Sequence, residues 1–103
     1  MSATEDTNEL ITRLNGETAK IEWHQLQKHY ASGSVISVAP GFDLIKVAIA
    51  MHRDNTAQIK QWLAEQLVAE VSDRQAQSWY QENALVWALV IPPFVLVQEI
   101  NPS

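Results

Sequence analysis

Residues 84–97 contain no polar side chain, and only the adjacent Pro92 and Pro93 interrupt their run of aliphatic and aromatic residues. A membrane-crossing helix needs about 20 apolar residues, and two prolines near the midpoint would break a shorter one. The stretch therefore predicts buried β structure. Leu85, Val86, Trp87, Leu89, Val90 and Ile91, followed by Phe94 to Val97, are the residue types that suit a strand covered on both faces. The expected element is a last strand over about 84–99, bent at Pro92-Pro93. A tight two-residue hairpin is not expected there, because its favoured turns need positive φ and proline is held near about −65°.

The rest of the chain supplies helices and two shorter strands. Ser2 followed by Glu5 fits a capping box for a first helix starting near Ser2 or Thr4, with Leu10, Ile11 and Leu14 as its apolar stripe and Asn15 and Gly16 weakening its end. Trp23, Leu26 and Tyr30 share one face of a second helix over about 22–31, stopped by Gly33. A strand is predicted over 34–38, and then a turn at Pro40 and Gly41. Asp43 caps or opens a third helix whose apolar residues, Leu44 to Met51, cover more than half its circumference. Asp54, Asn55 and Thr56 end it and start a fourth, with Ile59, Trp62 and Leu63 inward. Residues 67–71 are a second short strand or a frayed helix end. Ser72 and Gln75 open a fifth helix with Ala76, Trp79 and Tyr80 towards the core. The predicted class is α+β, about five helices packed on a small sheet of short strands.

The 103 residues form one domain by length, residues 1–6 being expected as a flexible leading segment, and 47% apolar content with four tryptophans supplies a core. Each tryptophan falls on an inward face and wants a partner for its indole N–H. With no cysteine, disulfides, thiolate nucleophiles and cysteine-based zinc sites are excluded. The opening Met1 to Asp6 lacks a basic stretch and an apolar stretch, so a soluble, cytoplasmic protein is expected, with no membrane association. Three glycines, at 16, 33 and 41, cannot build a phosphate-binding loop or a dinucleotide fingerprint.

The formal net charge of −5 opposes nonspecific attraction to nucleic acid. Residues 23–62 are nonetheless mildly basic, with Lys28, Lys46, Arg53 and Lys60 against Asp43 and Asp54. His24 and His29, five apart on a helix, flank the apolar stripe on opposite sides and are expected as separate surface imidazoles. His52 falls on the apolar side of the third helix and is expected as a satisfied buried histidine in its last turn; a ligand or proton-transfer role is the minor alternative. Asp43 is a helix cap before it is a general base, and Glu17 and Glu22 are ordinary surface carboxylates. No catalytic, cofactor-binding or metal-ligating residue is assigned, and no cofactor is implied.

The string Glu17 to Trp23 with Leu26, then Phe42, Asp43 and Leu44 leading into Val47 and Ala48, then Pro92 to Glu99, resembles a family of small bacterial proteins, domain-of-unknown-function family 2288. The resemblance runs from about Glu9 to Glu99. Its most specific part is the ending Val95 to Glu99, and Phe94 departs from it where tryptophan is expected in many relatives. It implies a free-standing cytoplasmic bacterial domain and transfers no activity and no catalytic residue.

Three functions compete. The first is a non-enzymatic binding or assembly module that self-associates to a homodimer or engages another protein, using an exposed edge near Val95 to Glu99. The second is a winged-helix-like nucleic-acid binder using helices near 43–66, with Gln58 and Gln61 towards base edges and Lys46, Arg53 and Lys60 towards phosphates. The third is a small enzyme or metal site joining His52 to Asp43, or His24 or His29 to a carboxylate. An enzyme is the less favoured reading.

Overall fold

The computed structural model describes residues 7–100. The helices are α1 (Thr7–Glu17), α2 (Gln27–Ala31), α3 (Leu44–His52), α4 (Thr56–Ala64) and α5 (Asp73–Glu82). The strands are β1 (Ala19–Glu22), β2 (Val35–Val38), β3 (Val68–Glu70), β4 (Leu85–Ile91) and β5 (Phe94–Glu99), and a 3-10 turn, Trp23–Leu26, leads into α2. The strands form one mixed sheet in the order β1-β4-β5-β2-β3, parallel only between β2 and β5. The fold is α+β, as predicted; the capping box at Ser2 and the start of the first helix lie outside the described residues.

The sheet is covered on both faces, which explains the uniformly apolar C-terminal run. On one face Leu89, Ile91, Leu96, Val38 and Val68 pack under α1, α3 and α4. On the other, Val86, Ala88, Val95, Val97 and Val35 pack under Trp23, Leu26 and α5. Helix boundaries follow local chemistry. Asp43 Oδ1 accepts from the N–H groups of Ile45 and Lys46 at 3.0 and 3.3 Å, and Ser72 Oγ accepts from Gln75 N–H at 3.1 Å, both as the sequence predicts. Asn55 Oδ1 caps α4 through Gln58 N–H. Gly33 ends the second helical segment in the left-handed region at φ 77°.

Several expectations are corrected. The last strand is two strands: Ile91 pairs with Phe94 across a two-residue turn, Pro92-Pro93, so the hairpin judged unfavourable is present. The peptide between the two prolines is cis, which reverses the chain as in a type VI turn without positive φ. β1 was hidden in the sequence because only Ile21 of its four residues is even half-buried, so an edge strand of this kind has no apolar period. The predicted open edge at Val95 to Glu99 does not exist, because β5 lies inside the sheet between β4 and β2. His52 is exposed, since it is the last residue of α3 and projects past the layer that buries Val47 and Ala48. Leu63 and Tyr80 are also exposed, at the outer rims of α4 and α5. α1 continues through Asn15 and Gly16 to Glu17.

Candidate functional site

The candidate catalytic groups of the sequence stay apart. Asp43 and His52 stand at opposite ends of α3, nine residues at about 1.5 Å each, and Asp43 is occupied as a cap. His24 is exposed, its Nε2 3.0 Å from the Tyr80 carbonyl and its ring 4.4 Å from the Tyr80 ring. His29 is exposed as well. Glu17 meets Arg13 at 3.9 Å on the surface of α1, and Glu22 is exposed at the end of β1. Among the described residues no group of three or more His, Asp or Glu side chains is placed to hold a metal ion.

Lys46 lies over the Phe42 ring at 5.8 Å, Arg53 donates to Thr7 Oγ1 at 3.1 Å, and the Gln61 amide donates to Glu65 on its own helix at 3.2 Å. α4 is followed by the single strand β3 and then α5, where a winged helix would place a hairpin.

Tyr30 on α2 donates its hydroxyl to Asp73 Oδ1 at the start of α5, joining two segments on the same side of the sheet. This hydrogen bond, with some desolvation and the nearby carboxylate charge, raises the phenol above its ordinary value of 10.0. A raised folded-state value favours the protonated phenol, so its stabilisation is fully present below about pH 10 and lost as pH rises through the higher folded value. Thermal melts above pH 10 are expected to show a steeper loss of stability in the natural protein than in Tyr30→Phe. Equal slopes would mean that the contact contributes nothing.

The exposed end of the β4–β5 hairpin remains. Val90 is 57% exposed and Phe94 37% exposed, on either side of Pro92-Pro93; the other large apolar side chain of the sheet left exposed is Leu85, at the far end of β4. On one side of this tip lies a cleft of about 360 Å³ against the junction of α3 and α4, with Met51, Ile59, Ile91 and Phe94 as its apolar wall. Asp54 and Lys60 are the charged residues at its margin. The junction is a short turn in which Asp54 takes a left-handed φ of 57° and Asn55 N–H donates to the Ala50 carbonyl at 2.8 Å. Sequence reasoning missed this end because every residue from 84 to 97 is apolar, and alternation cannot reveal which of them the helices leave uncovered. The exception was a visible signal: two adjacent prolines had to lie where no sheet hydrogen bond is donated.

What the fold and these contacts define is a small α+β domain that presents an apolar hairpin end. The chain belongs to the family described as "Protein of unknown function (DUF2288)", which it matches over residues 9–99. It is similar to the NMR solution structure of PA1075 from Pseudomonas aeruginosa, with a TM-score of 0.79 and 33% sequence identity, over 98% of this chain and 94% of that one. No curated protein matches it. Among the described residues, no helix is long and apolar enough to cross a membrane.

Proposed function

We propose that the protein is a non-enzymatic binding or assembly module that self-associates through the exposed end of the β4–β5 hairpin. The observation that carries this reading is the exposure of Val90 and Phe94 within residues 84–98, a stretch without a single charge. Two copies that each carry a net charge of −5 repel one another, and an uncharged end is where they can meet without opposing like charges. The two side chains project from opposite faces of the sheet, Val90 on that of Val95 and Phe94 on that of Ile91, so this end offers apolar contact on both. The setting we propose is the bacterial cytoplasm, which the family resemblance supports and cell fractionation would check. Native mass spectrometry and light scattering over a concentration series are expected to show a dimer that dissociates on dilution. A monomer at every concentration reached would remove the self-association.

A further inference from the structure

Beyond self-association, we infer that the cleft of about 360 Å³ beside the hairpin end is a binding site for a small zwitterion with an apolar body, the chemistry of a free apolar α-amino acid. Its volume lies at the lower end of the range of about 300–1,000 Å³ over which ligand pockets fall, which suits a single ring or a branched chain. Met51, Ile59, Ile91 and Phe94 give it an apolar wall, and its charged residues are one acid, Asp54, and one base, Lys60. Met51 and Ile59 are only half-buried by the protein itself, so the wall is open to an occupant.

The fold uses neither charge. Asn55, not Asp54, caps α4, its Oδ1 accepting from Gln58 N–H at 3.2 Å. Asp54 serves the junction through its backbone: its N–H donates to the Met51 carbonyl at 3.1 Å, and its carbonyl accepts from Thr56 N–H at 3.0 Å. Lys60 sits on a helix whose residues three and four places away are Thr56, Ala57, Leu63 and Ala64, so α4 offers it no acid. Among the described residues the Asp54 carboxylate and the Lys60 ammonium have no ion-pair or hydrogen-bond partner.

These two charges select the occupant. A ligand with a single charge meets a like charge at one margin of the cleft, and a neutral ligand leaves both unpaired. A chain terminus of a partner protein carries one charge only. An α-amino acid presents ammonium and carboxylate from one carbon, the ammonium for Asp54 and the carboxylate for Lys60, and leaves its side chain to lie against the apolar wall. The flexible four-carbon stem of Lys60 lets its ammonium follow the carboxylate.

The test is a titration followed by amide chemical shifts in NMR, using L-phenylalanine and its two singly charged analogues, N-acetyl-L-phenylalanine and L-phenylalaninamide, on the natural protein, Asp54→Asn and Lys60→Gln. Asparagine keeps the left-handed turn at residue 54, so that variant removes the charge and spares the junction. The expected results are shifts at Met51, Ile59 and Phe94, a dissociation constant on the order of 1 mM for L-phenylalanine, and binding at least about fivefold weaker for each analogue. Asp54→Asn is expected to abolish the preference over the N-acetyl analogue, and Lys60→Gln the preference over the amide. No shifts in the cleft at about ten times that constant, equal binding of the three compounds, or preferences that survive both variants would each overturn the site. Self-association is judged separately: a monomer that binds L-phenylalanine keeps this site, and a dimer that does not bind it loses the site alone.

Discussion

Replacing Trp23 by alanine is expected to destabilise the protein by about 3–5 kcal/mol, the range for removing a fully buried large aromatic side chain. In a domain of this size that lowers the melting temperature by more than about 10 °C. Trp23 is 0% exposed and packs edge-on against Trp79, with centroids 5.0 Å apart, and against Tyr30 at 5.6 Å. It thereby links the 3-10 turn, α2 and α5 on one face of the sheet. Its indole N–H is buried without a hydrogen-bond partner among the described residues, contrary to the expectation that each tryptophan finds one. An unpaired buried donor costs about 1–3 kcal/mol, so Trp23→Phe removes that cost while keeping an aromatic ring in place. Chemical denaturation is therefore expected to show Trp23→Phe losing less than half of what Trp23→Ala loses. Equal losses would show that the indole N–H is satisfied in solution, for instance by ordered water.

On the opposite face, Leu96→Ala is expected to cost about 2–5 kcal/mol. Leu96 is fully buried at the centre of β5, between Leu89 of β4 and Ile36 of β2, in the cluster closed by α1, α3 and α4. The sheet leaves little room for collapse there, because β5 is hydrogen-bonded on both sides. Urea unfolding should show a lower midpoint with an unchanged slope. Val90→Lys on the neighbouring strand is the contrasting case, expected within about 0.5 kcal/mol of the natural protein because the side chain is already in water. Were Val90→Lys to destabilise as strongly as Leu96→Ala, Val90 could not be the free surface on which the proposed contact depends.

These two residues show how the sequence conceals a site. Val90 and Leu96 belong to one apolar run and are of similar character, yet one is exposed and the other sealed. The difference arises from which helix lies above each position, and helix placement is not written in the strand. His52 illustrates the same limit from the helix side. Its wheel position beside Ile45 and Ala48 predicted burial, but α3 ends there, and the turn that carries the wheel inward carries its last residue into solvent. The caps at Asp43 and Ser72 were legible, since capping depends on a side chain and on amides two or three residues away.

The open edge of the sheet was likewise misplaced. A strand near the C-terminus looked like a natural edge, but β5 pairs with β4 and with β2, a strand sixty residues earlier, and the edges of the sheet are β1 and β3. Gln98 shows how such long-range partners are fixed: its amide donates to the carbonyls of Ala39 and Phe42 at 2.9 and 2.6 Å, holding the loop before α3 against the end of β5. Nothing in residues 95–99 alone announces those acceptors.

By itself the sequence determined the α+β class, the family, the third, fourth and fifth helices with the caps at Asp43 and Ser72, and the apolar character of the C-terminal strands, because these follow from residue type and spacing over a few positions; the single helix expected over 22–31 is instead the end of β1, a 3-10 turn and the short α2. The tertiary structure alone decided the strand order, the existence of the weakly patterned edge strand β1, the hairpin at Pro92-Pro93, and the exposure of Val90 and Phe94. Those features depend on contacts between segments far apart in the chain, where free energy is gained by covering the sheet as a whole and local pattern carries no record of what is left uncovered.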